Sequence, residues 1–215
     1  MKNLRPILWK GVVAGALVYA GILYFKENPI KLIPPIAPQE TAAAAPTEVI
    51  APAVGGDFTL TDQDGKPFDS KSLRGKYPVI FFGFTHCPDE CPLALQKLNQ
   101  SYDALDAPKK ASIVPIFISV DPARDTPAVL KEYNKAFTMP LISLTGDQAA
   151  ITAVEKLFKV YAAQQQKPET AAKADDYEVD HSVFIYLLGK DGKSLTLFPI
   201  EAPAQDIAKK LQALP

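Results

Sequence analysis

The chain has 215 residues, 47 % hydrophobic and 22 % charged, proportions that exclude a wholly disordered or collagen-like polypeptide. Its 23 basic and 24 acidic side chains leave a formal net charge of −1, so nothing in the balance favours nucleic acid as a partner. The length fits one ordinary domain with extensions, two cysteines preclude a disulfide framework, and proline is over-represented at 20 residues.

Residues 1–26 read as a cytoplasmic tip and a single transmembrane anchor. Lys2, Arg5 and Lys10 precede Gly11–Phe25, which carries no charge. From Ile7 to Phe25 every residue except Lys10 is apolar or small, and as a helix the stretch would span roughly 28 Å, close to a bilayer core. The basic residues on its N-terminal side predict a cytoplasmic N-terminus and a translocated remainder. A cleaved signal peptide is the competing reading, but Lys26-Glu-Asn-Pro29 follows where small residues are needed, and no cysteine lies near residue 26 to carry a lipid. Residues 27–55, with six prolines and the run Ala42–Ala45, read as an extended linker.

Residues 56–215 read as one folded domain. Phe58–Thr61 and Lys66–Phe68, separated by Asp62-Gln-Asp-Gly65, predict an N-terminal β-hairpin. Pro78–Phe84 is a continuous apolar run, the mark of a strand buried on both faces. Helical spacing runs from Pro92 to Leu105, and Ile113–Val120 is a second buried strand. Thr126-Pro127 opens a helix through Leu130, Tyr133 and Phe137, followed by another from Asp147 to Tyr161. Val183–Leu188 and Ser194–Ile200 flank an Asp191-Gly192 turn, and Ala204–Leu214 closes the chain as a helix. The polar, aperiodic stretch Gln164–Asp176 reads as a mobile surface loop tethering His181. The order fits an α/β, thioredoxin-like three-layer sandwich with the added hairpin.

Chemistry concentrates in Gly83-Phe-Thr-His-Cys-Pro-Asp-Glu-Cys-Pro92, between a buried strand and a helix, where open α/β folds place their sites. A redox dithiol of the thioredoxin kind uses Cys-x-x-Cys; here three residues separate Cys87 from Cys91. On a helical turn these positions lie about 6 Å apart along the axis and about 40° apart around it, so their sulfurs can converge on one ion. The spacing also suits a redox disulfide between them. His181, in Asp176-Tyr-Glu-Val-Asp-His-Ser182, supplies an imidazole at a loop facing that helix start. Two thiolates and an imidazole make a soft, low-coordinate set that suits copper. Zinc would want a fourth ligand, for which Asp89, Glu90 or Asp180 is available, or would keep an open water position. His86 points away from its neighbour Cys87 and reads as an approach or supporting residue. In Asp121-Pro-Ala-Arg-Asp-Thr-Pro127, Asp125 or Thr126 caps a helix and Arg124 pairs with a nearby carboxylate, which reads as scaffold support.

The chain resembles the Sco/SenC copper chaperones of cytochrome c oxidase assembly in four motifs taken in order: Gly83–Pro92, Ser119-Val-Asp-Pro-Ala-Arg-Asp-Thr-Pro127, Leu144-Thr-Gly146 and Asp176–Ser182. The resemblance runs from about Gly56 to Leu214. It implies a thioredoxin-like fold, metal ligation by Cys87, Cys91 and His181, binding of Cu(I) or Cu(II), and delivery to the dinuclear copper site of oxidase subunit II. An upstream copper donor and a thiol reductant complete the implied partners, and in a bacterium the domain would lie in the periplasm on an inner-membrane anchor.

The alternative function is a thiol-disulfide oxidoreductase that keeps a recipient's copper-ligand cysteines reduced, using Cys87 and Cys91. His181 separates the two, because disulfide exchange does not require it as a ligand. A peroxidase would need one activated cysteine in its own sequence setting, which is not evident. The anchor is tested by sequencing the N-terminus of membrane-extracted protein: a start upstream of residue 26 is expected, and a start beyond it would show cleavage.

Overall fold

The computed structural model describes residues 49–50, 53–166 and 177–215. In chain order its strands are β1 (Val49–Ile50), β2 (Thr59–Asp62), β3 (Pro67–Asp69), β4 (Tyr77–Gly83), β5 (Ile113–Ser119), β6 (Ile142–Thr145), β7 (Ala162–Gln166), β8 (Tyr177–His181), β9 (Phe184–Leu188) and β10 (Ser194–Pro199). Its helices are α1 (Glu90–Asp103), α2 (Ala107–Ser112), α3 (Pro127–Asn134), α4 (Gln148–Phe158) and α5 (Ala204–Gln212). The anchor expected over residues 1–26 lies outside the described residues, among which no helix is long and apolar enough to cross a membrane.

Every residue of β4 is buried, which requires a central strand covered on both faces. It pairs in parallel with β5, from Tyr77 opposite Ile113 to Gly83 opposite Ser119, and antiparallel with β9. The full order is β1-β10-β9-β4-β5-β6-β2-β3, with β7 and β8 forming a separate antiparallel pair. Side chains alternate across β4. Phe82 packs on Phe158 and Tyr186, with ring centroids 5.3 and 5.6 Å away, while Phe81 stacks on Phe117, which meets Tyr133.

Helix starts follow local chemistry. Asp106, Thr126 and Asp147 each accept a hydrogen bond from the backbone N–H three residues on, at the starts of α2, α3 and α4. The parallel strands β4 and β5 end together, where the Val120 N–H donates to the Gly83 carbonyl at 2.9 Å. That edge carries the cysteine segment.

Several elements depart from the sequence reading. A third parallel strand, β6, separates two helices read as consecutive, and α2 fills the stretch between Leu105 and β5. Helix α1 starts at Glu90 instead of Pro92, because a proline in the first turn loses only an N–H that has no intrahelical acceptor. Helix α3 ends at Asn134, short of Phe137, and α4 ends at Phe158, where Lys159 turns left-handed at φ 53°. The stretch read as a loop from Gln164 contributes Gln164–Gln166 to β7; residues 167–176 lie outside the described residues. His181 is therefore the last residue of a strand. The segment read as linker through residue 55 also joins the fold, since Val49–Ile50 pair with β10 and Val54 is buried in the core.

Phe158 touches Phe58, Phe82 and Tyr186 and is fully buried. Phe158→Ala should cost about 3–5 kcal/mol in urea unfolding of the full chain, from lost transfer energy plus a cavity. A loss under about 1 kcal/mol would show that this cluster is not the core's centre.

Candidate metal centre

Cys87 and Cys91 reach the same point by different routes. Cys91 lies in the first turn of α1, fully buried, whereas Cys87 lies in the turn before the helix, where its N–H donates to the Phe84 carbonyl at 3.2 Å. The pair is thus not spaced along one regular helical turn, as the sequence reading had it. The Cys87 sulfur instead accepts the Cys91 backbone N–H at 3.4 Å, so it occupies the place of a helix cap. Asp89, the residue flanking the helix, makes no such bond with its side chain.

His181 arrives from the far end of β8. Its Nε2 lies 3.4 Å from the Cys91 sulfur, and its Nδ1 lies 3.1 Å from the Ser182 carbonyl. A carbonyl only accepts, so this contact places a proton on Nδ1 and turns Nε2 toward the sulfurs. The edges of Phe81 and Phe84 pack against the ring, with centroids 6.1 and 5.7 Å away. The two sulfurs and one imidazole nitrogen lie within 4.8 Å of one another, and both cysteines are free thiols.

Gly83 sets how closely the buried sulfur can approach. A Cβ at this position would lie 2.6 Å from the Cys91 sulfur and 3.0 Å from the Phe81 and Phe117 rings. Any larger residue would push Cys91 out of line with His181.

The pair shares its protons unequally. The hydrogen bond from the Cys91 side chain holds the Cys87 thiol down to about 3, outweighing burial, with contributions from His181 and the amides of Cys91 and Asp89. Donating that bond, together with burial, drives Cys91 far above the ordinary thiol range. At neutral pH the centre therefore holds one thiolate and one thiol. The partial positive charge of the α1 N-terminus reinforces the thiolate.

The centre opens into a cavity of about 280 Å³ lined by Phe84, Cys87 and His181, with Asp89, Glu90, Glu178 and Asp180 also in its wall. These carboxylates do not join the converging donor set among the described residues. His86 is turned elsewhere: its Nδ1 lies 3.1 Å from the Thr85 hydroxyl and 4.0 Å from Asp125, and its side chain is half exposed.

Asp125 fixes the backbone just before the cysteines. It is fully buried and accepts the Thr85 N–H at 3.0 Å, the Thr85 hydroxyl at 2.6 Å and the Ser119 hydroxyl at 2.6 Å. Burial pushes its carboxyl up, against those hydrogen bonds. Gly83, Phe84 and Tyr177 fall inside the motifs singled out in the sequence, which assigned none of them a role of its own. Gly83 could have been found as a glycine ending an otherwise bulky strand; the other two look like ordinary core aromatics.

The SCO1/SenC family model matches residues 47–214. The mitochondrial protein SCO2 of Saccharomyces cerevisiae is 40 % identical over 185 residues, 86 % of this chain and 59 % of that protein, so the chain spans about three-fifths of that relative. The copper-bound structure of Bradyrhizobium japonicum ScoI is 41 % identical, covering 74 % of this chain and 98 % of that one, with a TM-score of 0.67. The structure of BsSco, described as a Sco-family cytochrome c oxidase assembly protein with a disulfide switch, is 29 % identical with a TM-score of 0.57, covering 77 % of this chain and 96 % of that one. With the thioredoxin-like fold, the Cys-x-x-x-Cys turn and the facing histidine in place, the chain belongs to the SCO1/SenC family.

Proposed function

We propose that this protein is a copper metallochaperone that carries the ion on Cys87, Cys91 and His181 and passes it to the dinuclear copper site of cytochrome c oxidase subunit II. The observation that carries the reading is the convergence of two sulfurs and one imidazole nitrogen within 4.8 Å. Two soft thiolates favour Cu(I), the imidazole nitrogen extends the set toward Cu(II), and three ligands without a fourth suit copper better than structural zinc. The remaining thiol proton on Cys91 would be released as the ion binds. The copper-bound ScoI structure and the oxidase-assembly role stated for BsSco support the same reading. A three-ligand site beside an open cavity suits an ion that must leave again. In this proposal residues 1–26 anchor the protein in the membrane, residues 27–48 and the following segment lead into the folded domain, and the domain faces the oxidase on the far side. An upstream copper donor loads it, and a thiol reductant keeps it loadable.

A second reading has its own observation. A low-pKa thiolate at Cys87 in the wall of the cavity, backed by a fully buried thiol at Cys91, is the asymmetry that disulfide exchange uses. Cys87 would attack a recipient's disulfide and release one thiolate, and Cys91 would resolve the mixed disulfide. The recipient gains two thiols and Cys87–Cys91 becomes a disulfide, so the electrons balance. The two roles compete for the same sulfurs.

Replacing His181 with alanine separates these readings. Cu(I) should still bind through the two sulfurs, more weakly, while Cu(II) affinity falls further, by roughly 10-fold or more, and oxidase assembly falls with it. Cys87→Ser and Cys91→Ser should abolish binding of both ions. Wild-type copper affinity and oxidase assembly in His181→Ala, with function lost in Cys87→Ser, would transfer the assignment to the oxidoreductase.

Copper loading should also depend on redox state. A Cys87–Cys91 disulfide removes both thiolates, and an oxidising compartment favours it. Anaerobic titration should find little Cu(I) uptake by oxidised protein and full uptake after reduction; equal uptake by both forms would contradict the ligand set.

A further inference from the structure

The strand pair that carries His181 meets the body of the domain through the inner face of β8 and through polar contacts at Tyr177. At the base of the pair, the Tyr161 N–H donates to the Ser182 hydroxyl and the Ser182 N–H to the Tyr161 carbonyl, both at 3.0 Å, which extends the β7–β8 ladder by one step. Along its inner face stand Tyr177, Val179 and His181, alternate residues of β8 that point the same way. Between this pair and helix α4 lies a cavity of about 400 Å³, lined among others by Gln148, Glu155 and Gln164. Tyr177 and Val179 are nevertheless buried in the hydrophobic core, so apolar packing seats this face of β8, and polar contacts at Tyr177 add a directional constraint on where His181 stands.

The polar attachment to the rest of the domain is made at Tyr177. Its hydroxyl donates to Asp121 at 2.6 Å, and its carbonyl accepts a hydrogen bond from Arg124 at 3.0 Å. The Arg124 guanidinium lies 3.7 Å from the centroid of the Tyr177 ring and bonds Asp121 through Nε at 2.5 Å. Asp121 is itself fixed at the end of β5, where its N–H donates to the Ser119 hydroxyl at 3.0 Å. Asp121 is fully buried and the Arg124 side chain is 12 % exposed. Arg124 also faces the Phe84 ring at 5.7 Å, and the edge of Phe84 packs against His181. Thus Arg124 meets two of the groups that bear on the imidazole's position: the strand that carries it and the Phe84 ring beside it.

We propose that Asp121, Arg124 and Tyr177 form a clamp that positions His181 for the ion, so that this motif acts on copper through the imidazole and not as a ligand. The proposal rests on the copper reading above. It gives one five-residue segment, Asp121–Asp125, two duties. Asp125 holds the backbone before Cys87, while Asp121 and Arg124 hold the strand bearing His181, so both halves of the donor set are referred to the same point at the end of β5.

The test uses the full-length chain in detergent. Tyr177→Phe removes one hydroxyl, keeps the ring under Arg124 and leaves every charge in place; Arg124→Lys keeps the charge but loses the planar fork. Each is made in the wild-type and the His181→Ala backgrounds. Cu(I) and Cu(II) affinities are measured against a competing chelator, together with the sulfur-to-Cu(II) charge-transfer spectrum. Amide hydrogen exchange across Glu178–His181 is followed in metal-free protein.

In the wild-type background, Tyr177→Phe should weaken Cu(II) about 10-fold and Cu(I) less, shift the charge-transfer spectrum toward that of His181→Ala, and speed exchange in β8. Arg124→Lys should do the same to a greater extent. In the His181→Ala background neither change should weaken copper further, because the group they position is gone. An equal loss in both backgrounds would make the clamp a general support of the fold and overturn the proposal. Unchanged Cu(II) affinity in Tyr177→Phe and Arg124→Lys would overturn it as well. Unchanged Cu(II) affinity in His181→Ala alone would remove His181 from the ligand set, and the proposal with it.

Discussion

The contact between the Cys91 sulfur and the His181 Nε2, at 3.4 Å, joins positions 90 residues apart and is the constraint on which the rest of the site depends. Cys91 can reach it only because Gly83 leaves no Cβ in the way at the end of β4. The imidazole reaches it because the Ser182 carbonyl accepts a hydrogen bond from Nδ1 and Phe81 and Phe84 pack against the ring. The central strand therefore does two things at once. Its buried side chains bind the two faces of the sheet together, and its last residues decide how near a sulfur and a nitrogen can come.

Burial also governs the protons. Two thiolates side by side at 0 % and 8 % exposure would repel each other in a medium that screens poorly, so the pair keeps one proton between them. Cys87 takes the negative charge because it accepts the Cys91 thiol and the Cys91 backbone N–H; Cys91, enclosed by the sheet, keeps the hydrogen. A bound cation reverses that logic by supplying the charge that lets both sulfurs deprotonate. The same division of labour makes Cys87 the reactive sulfur in any exchange with a disulfide. The two proposed roles, ion carriage and thiol exchange, would draw on one electrostatic arrangement, and occupancy by an ion or by a disulfide would exclude the other.

Much of this was legible in the chain because the informative residues are rare. Two cysteines and two histidines leave few ways to build a soft metal site, and the continuous apolar runs at Pro78–Phe84 and Ile113–Val120 announce buried parallel strands. The short strand Ile142–Thr145 was missed since four residues after a proline carry no reliable period. Ala162–Gln166 was missed for a different reason: Ala-Ala-Gln-Gln-Gln has no strand pattern of its own and takes its conformation from pairing with Tyr177–His181. Tyr177 gave no sign of a role near the site because its partner Asp121 lies 56 positions away. Side chains that act by touching a distant segment become visible only once the chain is folded.

The central claim, that two sulfurs and one imidazole hold the ion, is tested most directly by X-ray absorption at the copper edge on reduced, Cu(I)-loaded protein. Three-coordinate copper with two sulfur scatterers and one imidazole nitrogen is the expected result, with the nitrogen shell absent from the spectrum of the His181→Ala protein. A copper centre with a single sulfur, or one whose nitrogen shell survives in His181→Ala, would contradict it.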